Sequence, residues 1–209
     1  SLILGPLFSS SVTAITPSAQ AAGVSVISFS NDRRVTSNNV FTMGFLPDEQ
    51  VERVVRFAYN KGLQRFALLA PDNSYGRTII TALEKITAEL GVEVAKASFY
   101  DPNAADFGLV VRNLANYDQR RDDLLNQRRK LEKRNDEVAQ KTLKRLENLH
   151  TIGDLPFDTL MVADSGTRLQ AIAALLPYYD IDPKKTRMLG TGQWGAEDSI
   201  LEPALIGGW

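Results

Sequence analysis

The 209-residue chain has no cysteine and a single histidine, His150. Disulfides and thiolate metal sites are therefore excluded, although zero cysteine suits an oxidising compartment as well as a reducing one. With 24 Lys and Arg against 25 Asp and Glu, the formal net charge is −1. That balance supplies no basic field for non-specific nucleic-acid binding, so no nucleic-acid partner is expected. No run approaches the ~20 apolar residues of a membrane span, and no charged-then-apolar leader precedes Ser1, so any export signal is expected either to have been removed or to lie outside this sequence. Catalytic constellations are missing as well. No P-loop, metal-ligand cluster or paired acid and base is present, and Gly190-Thr191-Gly192 lacks the third glycine of a dinucleotide fingerprint. A serine nucleophile would need a base, and His150 is far along the chain from any expected strand end. The expectation is a protein that is not an enzyme and takes no cofactor and no metal.

What the chain does have is an ordinary globular composition, 44% hydrophobic and 23% charged, arranged in alternating strand and helix patterns. Residues 2–4 are a short apolar run ended by Gly5-Pro6, residues 24–29 alternate like a strand, and residues 10–22 between them are Ala-rich and helix-compatible. A third strand is expected over 40–45. Pro47-Asp48-Glu49 then opens a helix with acids in its first turn, followed by Val51, Val54, Val55 and Ala58 at helical spacing. The continuous apolar run 66–70 reads as a parallel strand covered on both faces, with Ile79, Leu83, Ile86 and Leu90 as a helical stripe behind it. Strands over 92–95, 159–163 and 187–190 follow, with Leu169, Ile172, Ala173 and Leu176 on the helix between the last two. The alternation predicts an α/β fold with doubly wound parallel sheets.

One segment breaks the rhythm. Residues 107–149 contain no proline and, after Gly108, no glycine, while the middle is crowded with Arg, Lys, Asp and Glu. A single helix of ~40 residues would reach ~60 Å and would have to project or fold back. Tyr117, Leu124, Leu131 and Val138 recur every seven residues, but the positions completing the seam are Arg121, Arg128, Asn135 and Thr142. A helical hairpin turning near Asn135-Asp136 fits this half-apolar stripe, and so does one long helix covered by a partner. The segment reads either as a solvated, salt-bridged insertion or as a docking arm for another protein.

Ligands of parallel α/β domains are met at the carboxyl ends of strands, and the turns there carry the candidate ligand-binding residues. Ser9-Ser10-Ser11 offers hydroxyls and helix N–H groups to a carboxylate, and equally the chemistry of an N-cap. Ser30, Asn31 and Asp32 follow the second strand and suit both turns and ligand hydrogen bonds. Tyr75, beside Asn73 and Ser74 as helix caps, is placed to cover an apolar ligand or donate through its hydroxyl. Asp164 and Ser165, then Gln193 and Trp194, occupy the exits of two further strands.

The series Gly5-Pro6-Leu7-Phe8-Ser9-Ser10-Ser11, Val26-Ile27-Ser28-Phe29-Ser30-Asn31-Asp32, the strand over 41–45 and Ala70-Pro71-Asp72-Asn73-Ser74-Tyr75-Gly76-Arg77 resembles the type 1 periplasmic binding proteins of the leucine/isoleucine/valine-binding kind. That resemblance implies two lobes closing on a small solute, often an amino acid, for delivery to an ABC transporter permease. Ser9 and Ser10 match the serines that hold the solute's carboxylate, Ser30 and Asp32 the second loop of the first lobe, and Tyr75 an aromatic covering the ligand. The glutamate that takes the ligand's ammonium in amino-acid binders falls near Gly192-Gln193, where no charge stands, leaving Asp164 or Asp32 as substitutes. Tyr100-Asp101-Pro102, Asp106-Phe107 and the Arg-rich stretch after Asn116 resemble the related penicillin-binding-protein activators, envelope lipoproteins that stimulate a peptidoglycan synthase by contact. The resemblance also implies a first-lobe fragment over 1–46 and a second lobe over 47–209, with a charged helical insertion near 116–150 and a further strand beginning at Ala204-Leu205-Ile206. The expected role is an activator-like interaction module of the periplasm, lipid-anchored in its full-length form; the alternative is the solute receptor of an ABC transporter for branched-chain or other amino acids.

Overall fold

Three short apolar runs near the amino terminus pair in parallel because a helix returns the chain between the first two. In the computed structural model, which describes residues 1–134, 136–195 and 202–209, the chain divides into the units Ser1–Val51 and Glu52–Trp209. The first holds β1 (Leu2–Leu4), α1 (Ser9–Ala21), β2 (Ser25–Ser28) and β3 (Val40–Thr42), in sheet order β1-β2-β3. Ile3, Val26 and Val40 are in register across the sheet, and Val26 and Val40 form a core with Val12 and Ala19 of α1. Strand residues alternate faces, so the neighbouring row Leu4, Ile27, Phe41 points the other way. Leu4 is 68% and Phe41 54% exposed, which leaves that second face apolar and open. The third strand stops at Thr42, three residues short of its expected end, and α2 (Pro47–Asn60) opens with Pro47, Asp48 and Glu49 as expected.

The second unit continues with β4 (Arg65–Pro71), α3 (Ser74–Glu89), β5 (Glu93–Tyr100), α4 (Gly108–Leu114), α5 (Tyr117–Glu132), α6 (Glu137–Leu146), β6 (Thr159–Val162), α7 (Gly166–Tyr178) and β7 (Arg187–Leu189). Its sheet is parallel throughout, in the order β5-β4-β6-β7. The central β4 and β6 are buried along their length except at Arg65, while the edge strand β5 alternates exposed and half-buried positions. That alternation hid the strand's true length: only 92–95 stood out in the sequence, because an edge strand need not be apolar on both faces. Ile79, Leu83 and Ile86 of α3, and Leu169, Ile172, Ala173 and Leu176 of α7, are buried as their stripes predict.

The strand expected at Ala204 is absent. Ala204, Leu205 and Ile206 form a turn, the first two buried, and the extended pairing lies further on, where the Gly190 N–H donates to the Trp209 carbonyl (2.7 Å) and the Trp209 N–H to that of Met188 (3.0 Å). The apolar character of this stretch serves core packing rather than a ladder.

The charged insertion is a hairpin of α5 and α6. Asn116, at φ 48, separates α4 from α5; Asn135, one of the two residues expected at the turn, lies outside the described residues, and Asp136 caps α6 by accepting from the Ala139 N–H at 2.9 Å. The seven-residue repeat does not survive the turn: Leu124 is buried, but α6 buries Ala139 and Leu146, leaving Val138 67% exposed. Arg128, which looked like a polar fault in the seam, donates to the carbonyls of Leu146, Glu147 and Leu149 and so closes the carboxyl end of α6.

Candidate functional site

At the carboxyl edge of the first unit's sheet, the serines after β1 are not caps. Phe8 is the N-cap of α1 and makes no side-chain capping bond, so Ser9, half-buried, and Ser10, exposed, occupy the helix's first turn with hydroxyls unused by a cap. The second loop is stitched internally: the Ser28 hydroxyl donates to the Pro6 carbonyl (3.0 Å) and accepts from the Ser30 N–H (2.9 Å), and the Ser30 hydroxyl oxygen accepts from the Asp32 N–H (3.1 Å). Asp32 accepts from the Arg34 backbone N–H (3.0 Å) and from its guanidinium (2.9 and 2.8 Å). The hydrogen bond from that guanidinium holds the Asp32 carboxyl below its ordinary value. Asn31 is exposed.

The carboxyl edge of the second unit's sheet gathers more. Asn73 caps α3 by accepting from the Gly76 N–H (3.0 Å), which fixes the turn that carries Tyr75. The Tyr75 hydroxyl meets the Thr191 hydroxyl at 2.8 Å. Tyr75 follows β4 and Thr191 follows β7, with β6 between them, so the phenol reaches across the exit of β6, where Asp164 stands. From the opposite side Tyr100, the last residue of β5, reaches past β4 to donate to the same Asp164 carboxylate. Asp164 is 2% exposed and also accepts from the Ser165 N–H (2.7 Å) and from both arms of Arg168, one helical turn further on α7, at 2.9 and 3.0 Å. Trp194 donates its indole N–H to the Val162 carbonyl (2.9 Å) and lies against Gly190, where a Cβ would collide with the ring. Gln193 is exposed and Ser165 half-buried, at the N-cap of α7 without a side-chain capping bond.

Burial raises the Tyr100 phenol well above its ordinary value of 10.0, and its bond to Asp164 raises it further. Burial raises Tyr75 too, partly offset by its bond to Thr191. Above about pH 10 the unfolded chain loses these two protons while the folded chain keeps them. Their contribution to stability is therefore complete below that pH and is lost as pH rises, Tyr100 giving a slope of up to about 1.4 kcal/mol per pH unit and Tyr75 acting in the same direction. Lys96, lowered by burial, works in the opposite sense. Comparison with Tyr100→Phe isolates the larger phenol effect: urea midpoints are expected to fall between about pH 9.5 and 11, less steeply in Tyr100→Phe. Identical slopes in the two proteins would show that Tyr100 is not held protonated.

Tyr75, Asp164, Ser165, Gln193 and Trp194 thus gather at one edge of the second unit, while Ser9, Ser10, Ser30, Asn31 and Asp32 stand at the corresponding edge of the first. Three partners of this edge were not singled out from the sequence. Arg168 was signalled by its i+4 spacing from Asp164, whereas Tyr100 and Thr191 carried no local mark of their roles. The edge offers phenol and hydroxyl groups, aromatic faces and a carboxylate already matched by a guanidinium. Among the described residues no group of His, Asp and Glu could hold a metal ion. A cavity of about 640 Å³ lies at the opposite, amino edge, lined in part by Arg65, Arg120, His150 and Asp158. Its charged walls are largely engaged, Asp158 with Arg65 (3.4 Å) and Arg120 with the Gly153 carbonyl (3.3 Å).

Comparison with known proteins places this geometry in context. Residues 1–118 match the periplasmic binding protein family. An uncharacterized protein of Rickettsia prowazekii (strain Madrid E) is 29% identical over 115 residues, covering 55% of this chain and 31% of that protein. Among solved structures, the leucine-binding protein LivK of Thermotoga maritima superposes with a TM-score of 0.60 at 16% identity, over 98% of this chain and 48% of its own. An ABC transporter substrate-binding protein from Sphaerobacter thermophilus gives 0.63 at 15%, over 99% and 47%. A solute-binding protein of an ABC transporter from R. palustris, in complex with 4-hydroxybenzoate, gives 0.56 at 16%, over 92% and 43%. The chain therefore spans less than a third of the Rickettsia relative and less than half of each of these solved chains.

Proposed function

The chain belongs to the periplasmic binding protein family, and from that premise we propose that it forms part of a non-catalytic, extracytoplasmic solute-binding protein whose second unit contacts a small solute through Tyr75, Thr191, Gln193 and Trp194. The observation that carries this reading is the Tyr75 hydroxyl, held across the exit of β6 by Thr191. Ser9 and Ser10, uncommitted to capping, leave hydroxyls available at the carboxyl edge of the first unit's own sheet. Asp164 is excluded as a direct partner for an ammonium because Arg168 already matches its charge, and a desolvated ammonium without an anion costs several kcal/mol. The solute class that fits is small, hydrogen-bonding and without an ammonium. 4-Hydroxybenzoate, seen in the R. palustris neighbour, has that chemistry, and the permease of an ABC transporter is the partner this reading implies.

Thermal unfolding of the full-length protein tests it. At a hundredfold excess over Kd, 4-hydroxybenzoate is expected to stabilise by about 2.7 kcal/mol, Tyr75→Ala to abolish the gain, and leucine to give none. Stabilisation by leucine alone would overturn the solute class, and no stabilisation by any small solute would overturn the receptor reading. A second reading, a lipid-anchored activator of a peptidoglycan synthase, would place its contact on the α5–α6 hairpin. In that case removing residues 118–147 weakens binding to the synthase and leaves the sheet folded.

A further inference from the structure

The distal half of the α5–α6 hairpin has a charge balance unlike that of the whole chain. Residues 128–145 carry eight Lys and Arg against three acids, Glu132, Asp136 and Glu137, although the full sequence is at −1. Two of the acids are already matched, Asp136 by Arg134 (2.9 Å) and Glu137 by Lys141 (2.6 Å). Arg128 is spent on the carbonyls that end α6. Arg129, Lys130, Lys133, Lys144 and Arg145 remain, all exposed, and none makes an ion pair among the described residues. At 3.6 residues per turn, Arg129, Lys133 and Lys130 fall within an arc of about 100° opposite the buried Leu124. Val138, in the first turn of α6, stands 67% exposed.

We propose that the turn end of the hairpin docks on an anionic lipid surface, Arg129, Lys130 and Lys133 meeting headgroup phosphates and Val138 entering the boundary between headgroups and acyl chains. Long Lys and Arg side chains reach such a plane readily, because each head group can extend independently of its stem. A fluid, multiply charged surface rearranges to meet scattered cations. A protein partner would instead call for an aromatic anchor, and residues 128–145 contain no aromatic residue. Basic clusters backed by an exposed apolar residue are the pattern of peripheral lipid contact. The inference does not depend on what the sheet edge binds.

Co-sedimentation of the full chain with extruded vesicles tests it. Binding to phosphatidylcholine vesicles containing phosphatidylglycerol is expected to exceed binding to phosphatidylcholine alone by about tenfold or more, and to fall toward that baseline as salt shortens the Debye length. The triple variant Arg129→Gln, Lys130→Gln, Lys133→Gln is expected to lose about tenfold in partitioning with an unchanged circular dichroism spectrum. Lys184→Gln, outside the hairpin, is expected to bind as the parent does. Equal binding to both vesicle types, or full binding by the triple variant, overturns the proposal. Retention of poly-glutamate by the parent and not by the triple variant, with no vesicle binding by either, overturns it in favour of an acidic protein partner.

Discussion

Gly76→Ala is expected to destabilise the second unit by about 3 kcal/mol, although it replaces a poor helix former with the best one. Propensity alone would favour alanine by about 1 kcal/mol within α3. The buried glycine, however, sits where α3 crosses the end of β4, and a Cβ there would overlap the Pro71 carbonyl and press on the Ala70 side chain at 3.3 Å. A backbone carbonyl cannot move aside by changing rotamer, so the helix must lift. The same lift would draw Tyr75 from Thr191 and loosen the Asn73 cap, whose acceptor is directed at the Gly76 N–H. Urea unfolding followed by circular dichroism measures the loss; a neutral or stabilising substitution would mean that helix and strand do not approach so closely.

A comparable loss is expected from Asp164→Ala. The substitution would leave the buried Tyr100 hydroxyl, the Ser165 N–H and the Arg168 guanidinium without their shared acceptor. Removing one member of a buried pair typically costs about 3–5 kcal/mol. Arg168 is 44% exposed and can turn to water, which puts the expectation near 3 kcal/mol, the lower end of that range. Arg168→Ala should cost less, because Asp164 would keep Tyr100 and the Ser165 N–H. If Asp164→Ala and Arg168→Ala unfold at the same denaturant concentration, Asp164 is not the centre of this network. Asp164 follows a strand, which marks it as a candidate ligand contact; its burial and four hydrogen bonds make it the anchor on which the exits of β5 and β6 and the start of α7 meet.

Local pattern carried much of the fold. The buried stripes of α3 and α7, the apolar run of β4 and the proline-acid start of α2 are each set by residues within a few positions of one another, and each stands where its periodicity put it. Failures came where distant neighbours decide. Ser9-Ser10-Ser11 has the composition of a cap, but the chain enters α1 one residue earlier, at Phe8. Val138 continues a seven-residue repeat, but α6 starts a new rotation after the turn, and Ala139 takes the inward place. Ala204-Leu205-Ile206 is apolar enough for a strand and instead fills the core from a turn.

The sequence by itself determined the alternation of strands and helices, the parallel α/β class, the charged insertion and the strand exits at which polar residues cluster, because all of these follow from periodicity and turn chemistry over short spans. Only the tertiary structure decided which exit residues meet. Tyr75 finds Thr191 across 116 positions and Tyr100 finds Asp164 across 64. Those separations close only when β5, β4, β6 and β7 lie side by side, and an order of strands set by long-range burial leaves no local mark on the residues it brings together.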